Sequence, residues 1–133
     1  MDFINPSTIT APASNYSQGV RAPAGSMAMP ARRLIISGQI GMTKEGKVLE
    51  GMEAQLRQTW SNLLAVVKEG GMTHTDLVKV TTFVTDRTSV GLVRQIRDEY
   101  MQGHRPASTF LVVAGLAMPE LLCEIEGEAV AVW

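Results

Sequence analysis

The sequence predicts one α+β domain in which two amphipathic helices interrupt five strands, in the order ββαβαββ. Two segments repeat apolar residues at helical spacing, whereas the other apolar segments alternate or are rich in β-branched residues. The length of 133 residues fits a single domain. A chain of this size buries about two-thirds of its unfolded surface, which is enough for a hydrophobic core.

The first half of the chain predicts two strands and the longer helix. Residues 1–31 are rich in Pro, Ala, Ser and Gly and predict a loop with one early strand, and residues 1–13 are expected to be a loose N-terminal segment. The apolar residues 33–38 predict a buried strand that ends at a tight turn. Apolar residues recur at helical spacing over residues 52–69, and the glycine pair that follows predicts the helix end.

The second half predicts a strand, a second helix and two final strands. Residues 76–85 predict a strand with alternating faces, of which one carries Val78, Val80, Thr82 and Val84 and the other Lys79, Thr81 and Phe83. Residues 88–102 predict a helix, because apolar residues again return every three or four positions. Residues 108–114 and 121–132 predict the last two strands.

Charge and composition exclude several classes of function. The net charge is −1, which disfavours nucleic acid as a partner because phosphate binding requires uncompensated Lys or Arg. The single cysteine, Cys123, excludes an internal disulfide. His74 and His104 are expected to be solvated, and their spacing predicts no metal site. No apolar run reaches the ~20 residues of a membrane span and no secretory signal is visible, so we expect no membrane partner and a cytoplasmic location.

The predicted sheet has one face that its two helices cannot cover. Layered packing requires a cover for an apolar sheet face, and a third helix is lacking. In the last strand Glu124, Glu126 and Glu128 share a face with Val130 and Val132. A fully solvated face would not need the valines, so the sequence predicts a homo-oligomer whose interface lies on the helix-free face.

A few residues could carry chemistry. The three glutamates of the last strand are either solvated charges or include one that lines a cleft, and Glu124 lies nearest the loops. Tyr16 lies in a polar loop, where its ring and hydroxyl either pack or contact a ligand. Ser37 and Gly38 end a buried strand, and a glycine there allows close approach to the backbone. Cys123 is expected to be an inert buried thiol, because no basic residue is placed to deprotonate it.

Five short motifs, in order, resemble one known family. They are Ser-Asn-Tyr-Ser-Gln at 14–18, Leu-Ile-Ile-Ser-Gly-Gln-Ile at 34–40, Asp-Leu-Val-Lys at 76–79, Arg-Pro-Ala at 105–107 and Glu-Ile-Glu at 124–126. Over about residues 14–132 the chain resembles the Rid family of reactive intermediate/imine deaminases, also called endoribonuclease L-PSP domains. The resemblance implies a chorismate-mutase-like α+β subunit with two helices on one face of a mixed sheet. It also implies a homotrimer with a small-molecule cleft between subunits, and no cofactor or metal.

The resemblance also implies roles for individual residues. Active members hydrolyse enamines and imines such as 2-aminoacrylate to a 2-keto acid and ammonia. Tyr16, Ser37 and Gly38 then correspond to ligand-binding positions, and Glu124 corresponds to the glutamate that positions or activates water.

One matched position departs from the family pattern. Where active members carry the arginine that binds the substrate carboxylate, this chain has Ser108. A serine hydroxyl provides neither the charge nor the bidentate geometry of a guanidinium group. Arg105 lies three residues away, and in a strand it would point to the opposite face, so it is no simple substitute. The chain therefore resembles the arginine-lacking branches of the family.

Three functions are consistent with these observations. The first is hydrolysis of an imine, enamine, amide or related bond in a less acidic metabolite, through Glu124 and water. The second is a non-catalytic, metabolite-binding or chaperone-like trimer. The third is endoribonuclease activity, which the near-neutral charge and the absence of a histidine pair disfavour.

Overall fold

The computed structural model describes residues 1–132 and shows a mixed α+β fold with one six-stranded sheet and two helices. The strands are β1 (Asp2–Ile4), β2 (Gly19–Gly25), β3 (Pro30–Ile40), β4 (Leu77–Val84), β5 (Ala107–Val112) and β6 (Cys123–Val132). The helices are α1 (Met52–Glu69) and α2 (Val90–Met101). The sheet order is β1-β2-β3-β6-β4-β5, and β4 and β5, which α2 connects, form its parallel pair.

Helix α1 has the bounds that the sequence predicts. Its apolar stripe includes Leu56, Trp60 and Leu63, which are completely buried, and α1 packs against β3 and β6. Burial of each such side chain stabilises the fold by about 1.5–3 kcal/mol. After the helix end, Gly71 has a φ of 77°, a left-handed conformation that glycine adopts without steric cost.

The two faces of the sheet differ in burial. The face that packs against α1 includes Leu34, Val80 and Ile125, which have no exposed surface. On the opposite face, β6 Glu128 pairs with Ile35 on one side and with Lys79 on the other, and Ile35 remains 48% exposed. The glutamates of β6 therefore lie on the helix-free face.

A bulge in β4 corrects the predicted face of one residue. Leu77 pairs with Ala129 and Lys79 with Glu128, so two steps along β4 correspond to one step along β6. Leu77 is 1% exposed and takes the core position, whereas Val78 is 44% exposed. The prediction that Val78 shares a face with Val80 was wrong because strict alternation stops at a bulge.

The N-terminal residues are more ordered than the sequence predicts. The expected loose segment 1–13 contains β1, which pairs with β2 at the sheet edge. Ile4 and Ile9 are each 7% exposed and belong to the core, and Asp2 forms a 3.0 Å ion pair with Arg21. The expectation was wrong because these short apolar segments find partners far away in the sequence. Within residues 1–132, neither helix combines the length and the apolarity needed to cross a bilayer.

Candidate functional site

A cavity of about 390 Å³ brings Tyr16, Gly38 and Glu124 together. It lies between the N-terminal loop, the end of β3 and the loop that precedes β6. Much of its wall is apolar, from residues that include Ile9, Ala11, Ala13, Ile40, Met118 and Leu121. Among the described lining residues Glu124 is the charged one, and none is Lys, Arg or His. The cavity therefore offers a carboxylate without a cation beside it.

Glu124 lies directly over the backbone of Gly38. The register of β3 and β6 shifts between Ile36 and Gln39, which leaves Ser37 and Gly38 in an irregular segment, and Ile40 then pairs with Glu124. A Cβ atom added to Gly38 would lie only 1.9 Å from Glu124 Oε1 and 2.8 Å from its carboxyl carbon. Glycine is therefore needed here so that the carboxylate can occupy this space.

The environment of Glu124 favours the protonated carboxyl group. Burial raises the pKa of Glu124 above its ordinary value of 4.5, and the neighbouring charge of Glu126 raises it further. No described residue donates a hydrogen bond to the Glu124 carboxylate. Of the other glutamates in the row, Glu126 is exposed and Glu128 accepts a 2.5 Å hydrogen bond from Arg33. Glu124 is thus the member of the row that can exchange a proton with a ligand in the cavity.

Ser37 holds the loop that carries Tyr16. The Ser37 hydroxyl donates to the Ser17 carbonyl at 2.6 Å, and the Ser37 amide donates to the Gln18 carbonyl at 2.9 Å. The Tyr16 side chain is 45% exposed and lines the cavity, so it does not belong to the core. Among the described residues, Ser37 is not part of the cavity lining. Its hydrogen bonds to Ser17 and Gln18 position the loop that carries Tyr16.

Three amide side chains also line the cavity, and the sequence-based predictions did not include them. They are Gln18, Gln39 and Asn62. The Asn62 amide donates to the carbonyls of Ile40 and Met42 at 3.0 and 2.9 Å, which ties α1 to the end of β3. A glutamine within the apolar segment 34–40 is the signal that could have indicated Gln39, because a polar group in a buried strand needs a partner.

Ser108 and Arg105 do not line the cavity of Glu124 within one subunit. Ser108 is exposed near the start of β5, where it pairs with Val80. Arg105 precedes the strand and lines a separate cavity of about 470 Å³, together with residues that include Arg97 and His104. Neither residue therefore adds a cation or a hydroxyl group to the Glu124 cavity within one subunit.

The two remaining candidates have buried contacts. His104 was expected to be solvated, but it is half-buried and its Nε2 donates to the Leu77 carbonyl at 2.6 Å, so that expectation was wrong. Cys123 has no exposed surface. Burial raises the pKa of its thiol to about 11, so the thiol stays protonated at neutral pH and is a poor nucleophile.

The fold and the cavity together define an α+β domain with a cavity of small-molecule size, in which Glu124 is the charged residue of the described lining. The sequence profile of the family Endoribonuclease L-PSP matches residues 8–131. The chain belongs to this family, which is the Rid family.

Relatives and solved structures agree with this membership. The 2-iminobutanoate/2-iminopropanoate deaminase of Salmonella typhimurium is 36% identical over 121 residues, which cover 88% of this chain and 86% of the relative. The rat protein of the same description is 35% identical over 95% of this chain and 87% of its own length. The crystal structure of the E. coli YjgF gene product has a TM-score of 0.84 at 30% identity, with 98% of each chain covered. RidA from the Antarctic bacterium Psychrobacter gives a TM-score of 0.87 at 26% identity, with 98% of this chain and all of the other covered.

Proposed function

We propose that this chain forms a cytoplasmic homotrimer that hydrolyses the C–N bond of a small imine or enamine whose reacting end carries no carboxylate. Glu124 carries the proposal, because it is a half-buried carboxylate with a raised pKa and no hydrogen-bond partner among the described residues. The similarity to imine deaminases supports the reaction class. No cofactor or metal enters the reaction.

The reaction can be written with the groups in the cavity. The Glu124 carboxylate takes a proton from a water molecule while the water oxygen bonds to the imine carbon and the C=N π electrons move to nitrogen. Nitrogen takes up a proton from solvent water, which gives a neutral carbinolamine, and Glu124 then returns its own proton to the amine nitrogen. The C–N bond breaks and ammonia leaves while the carbinolamine hydroxyl releases its proton to solvent water and its oxygen forms the carbonyl group, so one solvent proton is taken up and one is returned. A carboxyl whose pKa is raised towards the working pH is better suited to both proton transfers.

The trimer is supported by apolar side chains on the helix-free face. Ile35 is 48% exposed, Leu111 45% and Val132 68%, and the strand registers assign all three to the face of Glu128. Association would remove this surface from water and close a cleft over the open side of the Glu124 cavity. The resemblance to the Rid family implies the same arrangement.

The substrate class follows from the missing cation. Neither the described lining of the cavity nor position 108 provides a guanidinium group. A carboxylate placed beside Glu124 would add a second negative charge without a partner, which is costly in a partly desolvated site. Imino acids such as 2-aminoacrylate are therefore poor substrates in this proposal, and neutral imines are better ones.

The experiment compares two substrates that are generated in situ. The wild type should hydrolyse a neutral imine formed by an amine-oxidising enzyme, and Glu124→Gln should lower this rate by about 10²- to 10⁴-fold. With 2-aminoacrylate the wild type should be weak, Ser108→Arg should increase keto-acid formation, and Ser108→Lys should increase it less because lysine lacks the bidentate fork. Wild-type turnover of 2-aminoacrylate equal to that of an arginine-bearing relative would contradict the proposal.

A second candidate is a binding protein without chemistry, which the large apolar wall of the cavity and Ser108 favour. In that case the trimer would bind neutral ligands in the same cavity, and no activity would depend on Glu124. A substrate panel on which the wild type and Glu124→Gln behave alike would select this candidate.

A further inference from the structure

The amide group of Gln39 is fixed in one orientation. Gln39 Nε2 donates to Gln18 Oε1 at 2.8 Å and to the Ser37 carbonyl at 3.0 Å. Gln18 Nε2 in turn donates to the Thr10 carbonyl at 3.0 Å. Backbone carbonyls can only accept, so each end of this chain of hydrogen bonds fixes which atom is nitrogen and which is oxygen. The Gln39 carbonyl oxygen must therefore point away from Gln18.

That oxygen has no partner. Gln39 is only 4% exposed, and no described residue donates a hydrogen bond to its Oε1. Among residues 1–132, Trp60 Nε1 is the side-chain polar atom that is both fully enclosed and without a hydrogen-bond partner. The Gln39 oxygen also lacks a partner, so it is not fully enclosed. Gln39 lines the Glu124 cavity, so this cavity is the open space beside its side chain.

We propose that Gln39 is a specificity-determining residue, whose carbonyl oxygen accepts a hydrogen bond from the N–H group of the ligand in the Glu124 cavity. This inference rests on the proposed function, which places an imine or enamine in this cavity. It deepens that function because the Gln39 carbonyl oxygen adds an acceptor of fixed orientation to the cavity that Glu124 lines. The cavity selects an apolar molecule that carries an N–H donor over one of the same shape that lacks it.

The energetic reason is the cost of an unmade hydrogen bond. When a ligand displaces water from a buried acceptor and offers no donor in its place, the binding free energy carries the cost of desolvating that acceptor. A ligand N–H group that donates to the acceptor offsets this cost. Gln39 meets this condition because its own hydrogen-bonded amide group holds the oxygen in place before the ligand arrives, so little side-chain freedom is lost on binding.

The test uses two probes of nearly identical shape, isobutyramide and 3-methyl-2-butanone, which differ by an NH₂ group in place of a methyl group. Their dissociation constants are measured by protein NMR titration with the wild type, Gln39→Met and Gln95→Met, which makes the same change at an exposed position of α2 outside the cavity. The dissociation constant of isobutyramide divided by that of 3-methyl-2-butanone should rise by roughly fivefold in Gln39→Met. In Gln95→Met, which keeps the Gln39 oxygen and its contacts, this ratio should change by less than about twofold. An unchanged ratio in Gln39→Met, or equal changes in both variants, would overturn the inference.

A second measurement needs no variant. Wild-type crystals soaked in isobutyramide should hold its nitrogen within about 3 Å of Gln39 Oε1, and a ligand that turns its nitrogen away from Gln39 would overturn the inference. Neither readout depends on turnover. Selective binding without hydrolysis would therefore support the Gln39 subsite and contradict the proposed reaction. Hydrolysis without selective binding would support the proposed reaction and contradict the Gln39 subsite.

Discussion

Replacement of Gly38 by alanine should strongly lower the activity while leaving the fold intact. The added Cβ would lie 1.9 Å from Glu124 Oε1, so the carboxylate must move by about 1.5 Å to reach an ordinary contact of 3.4 Å. The obstructing atoms belong to the end of a flexible side chain, and Gly38 does not need a positive φ. The free energy of unfolding should therefore change by less than about 1 kcal/mol.

The catalytic effect of the same change should be much larger. Displacement of a reacting group by about 1 Å costs on the order of 10²-fold in rate, so Gly38→Ala should lower the hydrolysis of a neutral imine by about that factor. Gly115→Ala is the matched control, because a Cβ there would meet nothing within 4 Å. The assay pairs initial rates with chemical denaturation of each variant. Wild-type rates in a stable Gly38→Ala protein would refute the argument that this glycine makes room for the catalytic carboxylate.

Three further predictions concern the groups around the cavity. Burial raises the pKa of Glu124 above 4.5 in the folded chain, so the folded state binds this proton more tightly than the unfolded state. The stability of the wild type therefore declines as the pH rises from 4.5 through the raised pKa of the folded state. Thermal melts should show Glu124→Gln to be more stable than the wild type at pH 7 but equal to it at pH 3, and equal stability at both pH values would contradict the burial of Glu124. Ser37→Ala, which removes the hydrogen bond to Ser17, should cost about 1 kcal/mol of unfolding free energy and should speed hydrogen exchange in the Tyr16 loop; unchanged exchange would exclude the positioning role. The Cys123 thiol, with a pKa of about 11 and no exposed surface, should react with a thiol reagent at pH 8 only after denaturant is added, so rapid labelling of the native protein would contradict its burial.

Elements with a long local pattern could be predicted from the sequence. The stripe of Leu56, Trp60 and Leu63 with a glycine pair after it defines α1, because the helical repeat and its end are both local signals. Strand β1 has three residues and pairs with β2 at an edge, so no periodicity could reveal it. Val78 was misplaced for a related reason, since the bulge beside it depends on the register with β6.

The candidate site was only partly predictable. Glu124 was singled out by its place in a row of glutamates, and Gly38 by its position at a strand end. Their contact depends on the β3–β6 register and its irregularity after Ile36, which joins residues far apart in the chain. The orientation of Gln39 depends on Gln18 and Thr10 in the N-terminal loop, and a single sequence cannot specify such a network.

The measurement that tests the central claim most directly is a comparison of pyruvamide with pyruvate, which differ by a neutral amide in place of a carboxylate. NMR titration of the protein would follow the Gly38 amide and the Glu124 carboxyl group, which lies against the Gly38 backbone. A cavity whose described lining holds one carboxylate, Glu124, and no Lys, Arg or His predicts that pyruvamide shifts both signals and binds at least about tenfold more tightly than pyruvate. Pyruvate that binds at the same site as tightly as pyruvamide would contradict the account, because a cation from elsewhere would then be holding its carboxylate.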